Sequence, residues 1–241
     1  MTNKKLIVIT GASAGIGAAT ARLFSKMGHP LLLLARRLDK LEALDLPHSI
    51  FRKVDVVDMQ ALKSTIQEAE QAFGDVDCII NNAGILLLGD ITNQDPLEWK
   101  KMFDVNVLGL LNGMQAVLPK MKANNAGTII NIGSLAGHKT FPKHAGYCGT
   151  KFGMHAISEN VREEVAEFNI RTIVIAPGTI ETEILSQTTD KEILKNYHAW
   201  KESIGGAISA ESVAESIWFA YNQPQNINIR EIVIAPTKQK E

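Results

Sequence analysis

Cysteine is scarce in this sequence: Cys78 and Cys148 are the only two among 241 residues, and they form no CxxC pair. A zinc ribbon, a redox dithiol and a disulfide framework are therefore excluded. The six histidines include neither an HExxH segment nor an i,i+4 pair, so no metal is expected. No stretch approaches the roughly 18 consecutive apolar residues of a membrane helix. The opening run Leu6–Thr10 is too short for a signal-peptide core, and the expected address is the cytoplasm. Charge of one sign is also lacking, since 25 basic against 26 acidic residues leave a net charge of −1. Neither nucleic acid nor an anionic membrane is expected as a partner. Linkers, repeats and low-complexity tracts are missing too, which makes residues 1–241 one expected domain.

What is present is an alternation. Short β-branched or Leu-rich runs occur at Leu6–Thr10, Leu31–Ala35, Ile50–Asp55, Val76–Asn81, Thr128–Gly133, Arg171–Ala176 and Glu231–Ala235. Several are apolar at consecutive positions, the pattern of strands covered on both faces. Helix-length segments lie between them, at Ala18–Met27, Met59–Phe73, Leu97–Met121, Tyr147–Phe168 and Ala210–Tyr221. The expected fold is α/β: a Rossmann-type doubly wound parallel sheet of about seven strands with helices on both faces. One polar interval, about 179–208, breaks the rhythm. It contains Tyr197, His198, Trp200 and the pair Gly205-Gly206, which suit a substrate lid better than a plain surface insertion.

The first strand runs into Thr10-Gly-Ala-Ser-Ala-Gly-Ile-Gly17. Glycines at Gly11, Gly15 and Gly17, with Ser13, Ala14 and Ile16 between them, let backbone amides approach a pyrophosphate at a helix N-terminus. The spacing is GxxxGxG, not the commoner GxGxxG. At the end of the second strand, where an NAD site needs an acid, stand Ala35, Arg36 and Arg37. A guanidinium suits a 2′-phosphate, so NADP(H) is the expected cofactor, with Arg36 as first contact and Arg37 second. Asp55 and Val56 follow the third strand, beside the expected adenine. Asn82, Ala83 and Gly84 form a tight turn after the fourth.

Ser134 closes the fifth strand, and Tyr147 and Lys151 follow at i,i+4 spacing. One helical turn apart, a phenol and an ammonium share a face. At about 6 Å and an effective dielectric of about 20 their attraction is roughly 3 kcal/mol, or about two units of phenol pKa. A depressed Tyr147 pKa is the resulting expectation. The phenol could then exchange a proton with a small carbonyl or hydroxy substrate while hydride passes to or from a nicotinamide.

These motifs, together with Asn106 and Pro177-Gly178, resemble the short-chain dehydrogenases/reductases in their single-domain branch, over nearly the whole chain. The resemblance implies that Ser134 holds the substrate oxygen, Tyr147 is the acid/base, and Lys151 lowers the Tyr147 pKa and binds the nicotinamide ribose. It also implies that Asn106 holds a water of a proton relay, and that Pro177, Gly178 and Thr182 flank the nicotinamide. Gly133 stands where a second serine is frequent, and Ala14 where some NADP-preferring members carry a basic residue. The Ala-Arg-Arg continuation resembles members that oxidise 3-hydroxy acids and serine-like compounds, and bacterial NADPH-binding blue fluorescent proteins. The family's interface helices correspond to Leu97–Met121 and Tyr147–Phe168, implying a homodimer or homotetramer. An NADPH-binding sensor with little turnover is the alternative. His138, His144, Cys148, His198 and Trp200 are further candidates for the pocket wall.

Overall fold

The computed structural model describes residues 4–240. Seven parallel strands form one sheet in the order β3-β2-β1-β4-β5-β6-β7. They are β1 (Leu6–Thr10), β2 (Leu31–Ala35), β3 (Ser49–Lys53), β4 (Val76–Asn81), β5 (Gly127–Ile132), β6 (Ile170–Pro177) and β7 (Glu231–Ile234). The five interior strands are buried almost without a break, whereas the edge strands β3 and β7 are partly exposed. Burial on both faces is what their unbroken Leu, Ile and Val content allows.

The two-residue period of a strand divides these side chains between two cores. Leu6, Val8, Leu32, Leu34, Ile79 and Ile129 pack with Leu62 and Ile66 of α3 (Met59–Phe73), Met114 and Val117 of α5 (Gly109–Asn124) and Met154 of α6 (Ala145–Val165). Ile7, Ile9, Leu31, Leu33, Ile80 and Ile130 pack with Phe24 of α1 (Gly15–Lys26) and with Val213 and Ile217 of α8 (Ala210–Tyr221). Truncating one such fully buried leucine to alanine typically costs about 2–5 kcal/mol. Strand order reverses between β1 and β4, opening a crevice at their carboxyl ends, where ligands of such sheets bind.

Three segments differ from the sequence reading. The helix expected over Leu97–Met121 is interrupted: α4 (Pro96–Phe103) and α5 are joined by a π-helical turn, Asp104–Leu108. Asn106 lies within it, and its amide is drawn to two neighbours. It bonds both backbone groups of Ile85 and the Thr150 hydroxyl of α6. Wide turns of this kind recur at functional sites. The polar interval is not a loop throughout. An Ile180–Ile208 bridge ties its base, and α7 (Lys191–Ser203) occupies much of it. Asp190 caps that helix by accepting from the amides of Glu192 and Ile193. A short α2 (Leu38–Glu42) also stands where no element was expected.

Candidate active site

A cavity of about 780 Å³ lies at the carboxyl ends of the strands. Its nucleotide-facing end is built on the turn between β1 and α1. Gly11 has φ of +65°, and a Cβ there would come within 2.8 Å of the Ala83 backbone. Asn82 clamps this turn by donating to the carbonyls of Thr10 and Gly11, at 2.9 and 3.1 Å. Helix α1 begins at Ala14 with no side-chain cap and no acidic residue in its first turn. Its N-terminal amides therefore face the cavity with the partial positive charge that suits a phosphate.

Arg36 and Arg37 both line the cavity, but they are not equivalent. Arg37 bonds Glu183 at 2.9 Å and the Ser13 hydroxyl at 3.3 Å, and Lys40 reaches the same carboxylate at 3.1 Å. Those two cations hold the Glu183 carboxyl below its usual range, Arg37 foremost. Among the described residues, the ion pairs of this rim involve Arg37 and Lys40, leaving the exposed Arg36 to meet an incoming anion. Asp55, Val56, Ala83, Gly84, Pro177, Gly178 and Thr182 complete this half of the wall. The Thr182 methyl packs on Gly15, at the turn itself.

At the chemical end Ser134, Tyr147 and Lys151 converge on the same cavity. The Lys151 ammonium lies 5.7 Å from the centre of the Tyr147 ring and donates to the Ile132 carbonyl at 2.7 Å. Both side chains are 7% exposed. That burial reverses the direction expected for the phenol. Desolvation pushes the Tyr147 pKa well up, only partly offset by the Ser134 hydroxyl, and pulls the Lys151 ammonium down to about 8. Loss of water outweighs the attraction between the two groups. A protonated phenol at neutral pH is an acid, ready to give its proton to an oxygen that is gaining charge.

Beyond Tyr147 the wall is aromatic and aliphatic: Phe141, Tyr197, Trp200, Leu88 and Ile193. The rings of Tyr197 and Trp200 lie 5.4 Å apart on α7. His144 also lines this end, and its Nδ1 is 2.7 Å from the Pro142 carbonyl. A carbonyl only accepts, so Nδ1 carries the proton and Nε2 is left as an acceptor. Burial lowers the His144 pKa, which keeps the ring neutral. Lys143 is tied outward to Asp90.

Two residues expected at the site stand behind it. Gly17 does not line the cavity; it packs against the Gly11 carbonyl and the Asn82 amide. Asn106 is 3% exposed, and both of its amide protons are spent on Ile85 and Thr150. His138, Cys148 and His198 lie outside the lining, whereas Trp200 is in it. The sequence reading placed Tyr197 only within the excursion. Its signal was the Asp190 cap followed by apolar residues at 193, 197 and 200, one face of a helix.

His138 bonds Glu231 at 2.6 Å, and the His155 Nδ1 lies 3.5 Å from the same carboxylate oxygen. These three form the one metal-like cluster among the described residues. The His155 Nε2, however, is buried without a partner against Gly133 and Gly137. A metal on Nδ1 would leave a proton on Nε2 with no acceptor, so hydrogen bonding to Glu231 accounts for the trio better. The same ring explains Gly133: a Cβ there would fall 2.4 Å from the His155 Nε2.

The family model described as short chain dehydrogenase matches residues 5–193. An uncharacterized oxidoreductase of Staphylococcus saprophyticus is 39% identical over 241 residues, covering 98% of this chain and 97% of the relative. A closed form of serine dehydrogenase complexed with NADP+ superposes with a TM-score of 0.91 at 28% identity, covering 98% of this chain and 96% of that one. ElxO with NADP bound gives 0.85 at 28% identity, over 95% and 96% of the two chains. No helix among the described residues is long and apolar enough to cross a membrane.

Proposed function

The chain belongs to the short-chain dehydrogenase family, and on that footing we propose that it is an NADP(H)-dependent oxidoreductase interconverting a carbonyl and an alcohol. The observation that carries this reading is the shared cavity, lined at one end by the glycine turn and Arg36 and at the other by Ser134, Tyr147 and Lys151. NADP(H) fits the residues present. The uncapped N-terminus of α1 would take the pyrophosphate, Arg36 the 2′-phosphate, and Asp55 and Val56 would flank the adenine. The two structural neighbours named above carry the same cofactor.

When bound, the cofactor supplies or takes up the hydride. The chain's own residues handle the proton and the geometry. Ser134 donates to the substrate oxygen and fixes its position. Tyr147 gives that oxygen a proton during reduction and removes it during oxidation. Lys151 keeps positive charge beside the phenol as the proton leaves, and would reach the nicotinamide ribose. Asn106 acts at one remove, tying the Ile85 backbone to Thr150 on the helix that bears Tyr147 and Lys151. The segment 179–208 serves as the lid, with α7 presenting Tyr197 and Trp200.

Tyr147→Phe tests the reading. Absorbance change at 340 nm with a carbonyl substrate should vanish while NADPH affinity is kept. Substantial turnover in the variant would remove Tyr147 from the acid/base role. Tight NADPH binding by the parent protein with no turnover of any aldehyde, ketone or hydroxy acid would instead indicate a sensor. Exposed Phe103, Leu108, Leu111 and Phe152 lie at the end of α4, in the π turn, on α5 and on α6 respectively. Their contiguity in sequence order with the family's interface helices supports a homodimer or homotetramer, which light scattering would measure.

A further inference from the structure

Resting on the carbonyl–alcohol reading above, we propose that the site takes uncharged carbonyl compounds bearing an aromatic or branched apolar group, and rejects those bearing a carboxylate. The 3-hydroxy acids and serine-like compounds suggested by the Ala-Arg-Arg resemblance would enter with a carboxylate one carbon away from the reacting carbon. A buried carboxylate needs a cation or several donors. At this end of the cavity both lining cations are already engaged. Lys143 pairs with Asp90, and the Lys151 ammonium donates to the Ile132 carbonyl. Gln187 and Gln239 are held through their amide oxygens, by the Lys101 ammonium and the Thr179 amide, and offer a carboxylate only neutral amide groups.

His144 turns this shortage into repulsion. Its protonated Nδ1 is held by the Pro142 carbonyl, so the nitrogen left over presents a lone pair. A hydroxyl could donate to that lone pair, whereas a carboxylate would meet it oxygen to nitrogen with no proton between. Arg36 and Arg37 do line the cavity, but they stand at the end of β2, on the glycine-turn side. What faces the chemistry is ring and aliphatic surface, namely Phe141, Tyr197, Trp200, Leu88 and Ile193. Such walls discriminate by burying apolar area and by leaving an unmatched charge unpaired.

The test compares ethyl benzoylformate with benzoylformate, which share the ring and the reacting ketone and differ in charge and in one ethyl group. Each is titrated by calorimetry into NADP+-saturated protein, where a ketone cannot be reduced, so binding is read without turnover. The ester should bind at least about a hundredfold more tightly than the acid, because burying its ethyl group could by itself contribute roughly tenfold. Trp200→Ala should weaken the ester and leave NADP+ affinity unchanged. Asn196→Arg, which adds a cation to the cavity-lining face of α7, should strengthen the acid. An ester advantage of about tenfold or less, or no binding of either compound, overturns the proposal. A separate NADPH assay of the ester distinguishes the two readings. Ester binding without turnover strikes the oxidoreductase reading and leaves the ligand preference standing.

Discussion

Arg37 and Glu183, 146 positions apart in sequence, meet at 2.9 Å across the rim of the cavity. One belongs to the segment after β2, where a 2′-phosphate would sit, and the other opens the 3₁₀ turn Glu183–Gln187 in the segment proposed as a lid. The carboxylate thus holds that segment to the cations that a phosphate would seek.

An anion at that rim must share Arg37 with Glu183 and meet its charge. Glu183→Gln should therefore tighten NADPH binding several-fold, with a smaller effect on NADH, which lacks the 2′-phosphate. The gain should shrink as salt rises, because both side chains are exposed. Fluorescence titration at two ionic strengths measures it; unchanged or weaker NADPH affinity would remove the competition.

Arg36 has the complementary role. Arg36→Asp should reduce the preference for NADPH over NADH on the order of tenfold or more, by replacing a guanidinium with a like charge toward the phosphate. The ratio of kcat/KM for the two cofactors is the readout. If that ratio is unmoved, the 2′-phosphate contact lies with Arg37.

Burial of Lys151 sets a pH limit. With the ammonium pulled down to about 8, kcat/KM for reduction should be level below that pH and fall above it, as the charge beside the phenol is lost. Stability should move the other way. The folded pKa of about 8 lies below the ordinary 10.5, so the unfolded chain binds more protons between those values. Lys151 therefore makes stability rise with pH across that window. Lys151→Met should flatten this rise in chemical denaturation while abolishing most turnover. Persistence of the full rise in the variant would assign it to other groups.

Gly133 and His155 form a pair by exclusion. Gly133→Ser drives a Cβ into the His155 ring and against the Val174 Cγ1. The expected cost is about 1–3 kcal/mol of stability. In a His155→Ala background the cost should fall but not vanish, because the Val174 Cγ1 would still lie 2.9 Å from the added Cβ, and a double-mutant cycle reads the coupling. Additive effects would show that the ring does not set the identity of residue 133.

Much of this was legible in the linear chain. Consecutive apolar residues marked interior strands such as β1 and β2, because a strand buried on both faces has no polar alternation to obscure it. The turn Gly11–Gly17 and the spacing of Tyr147 and Lys151 were equally local, since a tight turn and a shared helix face depend on a few consecutive residues. Helix α7 was readable in principle, through the Asp190 cap and the 193, 197, 200 stripe, but its polar surroundings hid it.

Sequence alone determined which groups reach the cavity: a glycine turn, a guanidinium, a serine hydroxyl, a phenol and an ammonium. Tertiary structure decided their state. It buried Tyr147 and Lys151 together, so that desolvation, a property of surroundings rather than of spacing, raised one pKa and lowered the other. It also spent Arg37 on Glu183, closed Asn106 onto Ile85 and Thr150, and filled the space beside Gly133 with His155. Each of these joins residues far apart in the chain. Only packing fixes such distances, and electrostatics and exclusion depend on distance.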